Sequence, residues 1–205
     1  MSQNKFTLRE QKFGDKRIEI LNAFIKELET KTLHSISVDS ICEIVKISKV
    51  TFFKYFESKE QVLYYFIHKW QYALSCDIDA KRYSGASGIY RVFKAVTERK
   101  YSVNIMLAIA QYFIKLESTP QPMNISDYEY YLFSREAYEL NSPKRSLCDI
   151  LVYYLESMNC KAVNSTLENL FSVFYGVPIV VHMMGSEEEL WDKYQNALNA
   201  ILSNC

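Results

Sequence analysis

Ser37–Lys59 reads SVDSICEIVKISKVTFFKYFESK, and this stretch decides the fold. It carries two short helical patterns with a tight interruption between them. Ile41, Ile44 and Val45 give the first pattern an inner face, and Cys42 is small where two helices must approach closely. Ile47 plugs the turn, Ser48 caps the second helix, and Phe52, Phe56 and also Phe53 can pack inward. Lys49, Val50, Thr51, Lys54 and Tyr55 are left to face outward or to flank that face. Two short helices crossing at a tight turn form a helix-turn-helix.

Such a face suits double-stranded DNA. Lysines neutralise phosphates and donate to guanine acceptors, Thr and Tyr hydrogen-bond backbone or bases, and a valine touches a thymine methyl. Residues 1–60 hold 11 Lys+Arg against 9 Asp+Glu, while the whole chain is balanced at 24 and 24. The asymmetry is small, but Lys46, Lys49, Lys54 and Lys59 all fall at the motif. A lysine-bearing amphipathic helix is by itself an ordinary solvated face, so the whole arrangement has to carry the reading.

Outward from the motif the period stays helical. Ile18, Leu21, Phe24, Ile25 and Leu28 share one face of a first helix, and three segments follow at about 37–45, 48–55 and 58–75. Ser37, Ser48 and Ser58 stand at their starts, and Ser58-Lys-Glu-Gln61 reads as a capping box. Gly85-Ala-Ser-Gly88 breaks the chain before Ile89, Val92, Phe93 and Val96; Met106, Ile109, Ala110, Phe113 and Leu116 follow on another helix. Pro120-Gln-Pro122 marks a loop, 127–140 reads as one helix, and Ser142-Pro143 opens another that runs to about Ser157. The last two helices are expected at 162–184 and 187–203, the second opened by a capping box at Ser186–Glu189. Nothing reads as a strand or a repeat. The expectation is an all-α chain of about nine or ten helices, with residues 1–59 as the DNA-binding domain and 60–205 as a second helical domain.

The segment 36–59 resembles the N-terminal signature of the TetR family of transcriptional regulators, roughly T-x-x-x-I-A-x-x-A-G-V-S-x-G-T-L-Y-x-Y-F-x-S-K. Ser37 stands for the leading Thr, Ile41-Cys42 for Ile-Ala, and Ile47-Ser48 for Val-Ser. Thr51-Phe52-Phe53 replaces Thr-Leu-Tyr, while Tyr55-Phe56 and Ser58-Lys59 match directly. With the first helix included, the likeness spans about a quarter of the chain; beyond it only helix number and the last two helices agree. The resemblance implies that Ser37 and Lys59 touch phosphates and that Lys49–Thr51 with Tyr55 face the major groove. It implies a dimer on a palindromic operator and a regulator, usually a repressor, released by a small molecule. Lys46 stands at the family's turn glycine, and a positive φ there costs a non-Gly residue about 1 kcal/mol. Phe53 lacks the hydroxyl of the family's tyrosine, and Val50 replaces a smaller residue. A second reading therefore stays open: a helical ligand-binding or interaction protein whose motif no longer reads a specific operator.

One recognition helix offers little surface, and helix-turn-helix proteins usually pair so that two half-sites are read one helical turn apart. The last two helices, Leu167–Met183 and Leu190–Leu202, carry the apolar stripes expected to form a four-helix homodimer interface. The middle helices are expected to hold a pocket for an unknown ligand, with Tyr65, Trp70, Met106, Tyr112, Phe113, Tyr138, Tyr154, Phe174 and His182 as candidate lining residues. Any one of these is more often core than pocket.

Composition fits this frame. Apolar residues make up 49% and charged residues 23%, with 16 Tyr, 12 Phe and 2 Trp but only 5 Gly and 4 Pro. Cys42, Cys76, Cys148, Cys160 and Cys205 are widely spaced and odd in number, which reads as free thiols in a reducing cytoplasm. No secretory signal is visible in the polar N-terminus. The most apolar run, Leu170–Met184, is 15 residues, short of the about 20 a membrane span needs, and reads as a buried core helix. No nucleophile elbow, phosphate loop, dinucleotide fingerprint or H-E-x-x-H occurs, and His34, His68 and His182 show no metal spacing. No catalytic residue, cofactor or metal site is expected.

Overall fold

The computed structural model describes residues 5–116, 123–203 and 205, and among them every regular element is helical. Thr7 and Glu10 close a reciprocal capping box that starts α1 (Leu8–Leu28). The helix-turn-helix follows as α2 (Val38–Val45) and α3 (Lys49–Phe52), and α4 (Lys59–Asp79) leads into the larger part. There α5 (Gly85–Thr97), α6 (Ser102–Ile114), α7 (Asp127–Phe133), α8 (Arg135–Glu139), α9 (Leu147–Ser157), α10 (Val163–Met184) and α11 (Leu190–Leu202) complete eleven α-helices. The all-α expectation holds, with one or two more helices than the period suggested.

The first helix packs on α2, α4, α6 and α7, so it belongs to both parts of the molecule. Its stripe is buried through Leu21, Phe24, Ile25 and Leu28, with Ile18 half-buried at the edge. The larger part is built around an aromatic column. Phe93 of α5 meets Phe174 of α10 edge-on at 5.2 Å and Tyr194 of α11 at 5.0 Å, and the buried Tyr194 hydroxyl donates to the Phe174 carbonyl at 2.8 Å. Close packing of α5 on α9 depends on Gly88, where a Cβ would stand 2.1 Å from the Tyr154 ring.

Several boundaries differ from the sequence reading, each for a local reason. Segment 127–140 is two helices, because Ser134 is extended (φ −157°), ends α7 and caps α8 by accepting from the Ala137 N–H at 3.1 Å. Pro143 does not open a helix. The start lies at Leu147, where Ser146 and Asp149 satisfy each other's backbone donors at 2.8 and 3.2 Å, a stronger start than a preset φ. The box expected at Ser186–Glu189 is a short 3-10 turn, Glu187–Glu189. The Glu189 carboxylate reaches forward to Lys193 at 2.9 Å instead of back to Ser186. Ser58 does cap α4, but Gln61 reaches past it to the Glu57 N–H at 2.8 Å. The loop expected at Pro120–Pro122 lies outside the described residues.

The cysteine expectation is corrected: Cys160 and Cys205 form a disulfide, tying the end of the chain to the entrance of α10, while Cys42, Cys76 and Cys148 are free. Widely spaced cysteines meet here because α10 and α11 form an antiparallel pair that returns the chain to its starting end. The helix α10 has the expected span but is more open than expected. At 22 residues it is long and apolar enough to cross a membrane by length and composition alone. Leu170, Phe174 and Val181 are buried, but Val180, Met183 and Met184 are exposed on its outer side.

Candidate functional site

The turn between α2 and α3 is shaped by its backbone. Ser37 caps α2 by accepting from the Ser40 N–H at 3.0 Å. The helix ends at Lys46, which adopts the left-handed conformation (φ 54°, ψ 50°) that a glycine would supply without strain. The Ile47 N–H then bonds back to the Cys42 carbonyl at 3.0 Å. Ser48 restarts the helix, accepting from the Thr51 N–H at 3.1 Å and pairing with the Thr51 hydroxyl at 2.9 Å.

Phe52 and Phe56 sink into the core beside Ile41, Cys42 and Val45. Ile44 and Phe53 do not: both are exposed, each lying on the outer side of its segment while its neighbours Val45 and Phe52 point into the core. With these anchors in place, Lys49, Val50 and Lys54 are exposed, Val50 at 71%, and Thr51 is half-buried. Tyr55 is half-buried with its ring 5.0 Å from Phe13 of α1, so only part of it is free to reach a partner. Lys49 lies 2.8 Å from Asp39, a pair in which both side chains are more than half exposed. Such pairs contribute about 0.2–1 kcal/mol and exchange readily for another anion.

Lys59 stands apart from the others. Its ammonium donates to the carbonyls of Leu33, His34 and Ile36 at 2.7, 3.2 and 2.6 Å, so its three donors are occupied in holding the α1–α2 loop onto the start of α4.

No family model matches the sequence, and no curated protein matches it. Among solved structures, Salmonella enterica GusR is similar to the chain with a TM-score of 0.49 and 16% identity, over 93% of this chain and 95% of that one.

The residues expected to line a pocket divide. Trp70, Met106 and Phe174 do line one narrow cleft, together with Phe66, Arg99 and Tyr175. Tyr112 is buried beside Tyr64 at 6.1 Å, and Tyr154 fills the space over Gly88. Tyr138 packs at the far end of α8 against Phe6 and Tyr131. Phe113 is partly exposed on a separate concavity shared with Phe171 and Tyr175. His182, expected in a core, is exposed and sits 2.8 Å from Glu187.

Tyr65 belongs to a network that the sequence reading missed. Arg17 of α1 is 3% exposed and donates to Glu129 of α7 at 2.8 Å and to the Asn124 carbonyl at 3.0 Å. The Tyr65 hydroxyl donates to the same Glu129 oxygen at 2.8 Å. The guanidinium lies over the Tyr65 and Phe56 rings at 4.3 and 4.7 Å. Burial, and then the Glu129 charge, push the Tyr65 hydroxyl far up, so it stays a donor. A signal was present: Arg17 shares the inner stripe of α1 with Ile20, Leu21 and Phe24, where a charge requires a buried partner. Three residues away, Gly14 lets α7 come close, since a Cβ there would meet the Tyr128 ring at 2.8 Å.

Proposed function

We propose that the chain is a sequence-specific DNA-binding transcriptional regulator, a homodimer that represses from a palindromic operator and is released by a small molecule. The observation that carries this reading is the α2–α3 turn. A left-handed Lys46 and a capping Ser48 aim Lys49, Val50, Thr51 and Lys54 outward while Phe52 and Phe56 anchor the helix. On this reading residues 1–59 read DNA and residues 60–205 sense and dimerise, and the protein works in the cytoplasm. Lys46 adds a positive charge beside the DNA backbone, and Lys59 acts by holding the Ser37 cap in position, not as a phosphate contact.

Gel-shift and footprinting on the DNA flanking the protein's own gene test it. Lys49→Ala and Tyr55→Ala are expected to weaken specific binding far more than Lys193→Ala on α11, where the ammonium pairs with Glu189 of the preceding 3-10 turn. Binding that is absent, or insensitive to salt, removes the reading, because phosphate contacts impose a salt dependence of about −0.9 per contact in log–log slope. Absence of binding would favour instead a helical ligand-binding or interaction protein, a reading to which the exposed, hydroxyl-free Phe53 adds weight.

The dimer reading draws support from the outer face of α10. Val180, Met183 and Met184 are exposed there, and a Cβ on Gly176 would meet nothing within 4 Å. A second copy of the helix can therefore approach closely. The apolar stripe of α11 contributes less, since Leu190, Tyr194 and Leu198 are already buried within the chain.

A further inference from the structure

The cleft lined by Trp70, Met106 and Phe174 has an uneven composition. Its walls are mainly apolar, with Ile67, Val96, Ile105 and Leu147 among them and Gln71 and Ser102 as polar exceptions, and it is narrow, so a flat body fits better than a bulky one. Its mouth is cationic. Arg99 lies at the rim, with its guanidinium 5.6 Å from the centre of the Phe66 ring. Phe66 and Arg99 also border a second groove, completed by Lys69 of α4 and by Asn22, Lys26 and Glu29 of α1. The two spaces thus share one gate, and three cations face a single carboxylate around it.

Among the described residues, neither Arg99 nor Lys69 has an ion-pair partner. Burial first, and then the charge of Arg99, hold the Lys69 ammonium below its ordinary range. An unpaired, half-buried lysine beside an arginine costs free energy that an incoming anion recovers. Asp77 and Asp79, by contrast, each meet an arginine.

We propose that the cleft binds an amphipathic carboxylate, its flat apolar body between Trp70, Met106 and Phe174 and its carboxylate at Arg99 and Lys69. The assignment rests on the sensing role proposed above and names the chemistry of that ligand. Arg99 supplies the fork that matches a carboxylate, and Lys69 supplies the point charge beyond Phe66. The position of the carboxylate matters as much as its charge, since the same gate is walled by α1. An anion there draws on Lys26 and repels Glu29, so the ligand acts directly on the helix that carries the reading head.

Binding of 2-naphthylacetate, 2-naphthylacetamide and 2-(2-naphthyl)ethylamine to the full chain tests this, read by the fluorescence of Trp70 in a Trp191→Phe background and by calorimetry. Decanoate is the aliphatic arm. The acid is expected to bind at least about tenfold more tightly than the amide, since a charge-assisted hydrogen bond contributes about 1.5–3 kcal/mol, and the amine is weakest. Arg99→Gln should erase the preference for acid over amide, the ratio of the two affinities being the readout. Lys69→Gln should reduce it partly. The proposal is overturned if amide and acid bind alike, if Arg99→Gln leaves their ratio intact, or if neither acid binds below about 1 mM. Arg99-dependent binding of an acid without any effect on DNA would keep this site and remove the sensing role. Release of DNA by a neutral or cationic compound would do the reverse.

Discussion

At the scale of single residues, Lys46 and Lys59 show the same side chain doing opposite things. Lys46 holds a backbone conformation that costs it about 1 kcal/mol relative to glycine. Lys46→Gly is therefore expected to raise stability by about 0.5–1 kcal/mol in urea titration while removing a positive charge from the surface proposed to meet DNA. A variant less stable than the parent would mean that the lysine side chain makes a compensating contact. Lys59 instead satisfies three carbonyls, and Lys59→Met should cost about 1.5–3 kcal/mol and loosen the Ser37 cap. Asp39→Asn frees Lys49 and removes a negative charge from the surface proposed to meet DNA. The expected outcome is tighter DNA binding with a steeper salt slope, and unchanged affinity would argue against a phosphate at Lys49. A pH effect belongs here too. His68 has no hydrogen-bond partner for Nε2 among the described residues, and burial lowers its affinity for a proton. The unfolded chain then binds the extra proton as pH falls through the ordinary histidine range of about 6.5, so stability is lost on that side and is complete above it. His68→Leu should flatten the thermal-stability profile between pH 7.5 and 5.5, on the order of the window in which an ordinary histidine titrates.

At the scale of elements, α10 is the place where sequence and structure disagree most usefully. Its composition alone reads as core, yet one side is open, and only the packing of α6, α9 and α11 against the other side reveals this. Gly176→Leu is expected to leave the monomer's thermal stability equal or higher, because nothing lies within 4 Å and glycine is a poor helix former, while sedimentation shifts toward monomer. An unshifted dimer would place the interface elsewhere. Deleting residues 187–205 is a poorer test, since it removes the fully buried Tyr194 and Leu198 and would empty the core. The elements that were legible in the sequence are those fixed by local chemistry: the serine-capped α2, α3 and α4, the buried stripe of α1 and the inward Phe52 and Phe56. Those that were not depend on competition. Ser134 and Ser146 won helix boundaries from an even period and from Pro143, and neither victory shows in spacing alone. The cleft was half legible: Trp70, Met106 and Phe174 follow from apolar spacing, but Arg99 of the α5–α6 connection and Lys69 of α4 are brought together only by the tertiary fold.

At the scale of the whole molecule, α1 packs both on α2 of the proposed reading head and on α4, α6 and α7, and Arg17–Glu129 ties it to α7. Removing one member leaves a buried charge without its counterpart, so Arg17→Met alone should cost about 3–5 kcal/mol. The double variant Arg17→Met/Glu129→Gln keeps an acceptor for Tyr65 and should recover much of that loss. If the joint also transmits the signal, the double variant binds DNA but no longer responds to ligand; a normal response would confine the network to stability.

The bond between Cys160 and Cys205 gives this picture a topological side, because it makes the last part of the chain a covalent ring closed over a separation of 45 residues. Everything proposed for subunit pairing on α10 lies inside that ring. A protease that nicks the exposed connection at Gly185–Glu188 would leave both pieces attached, invisible on a non-reducing gel and separated on a reducing one. With the ring opened, Cys205 is held only by packing, and amide exchange in the last turn of α11 should quicken first. The reading head, some 100 residues away along the chain by sequence numbering, should keep its exchange rates unless the far end of the molecule is mechanically linked to it.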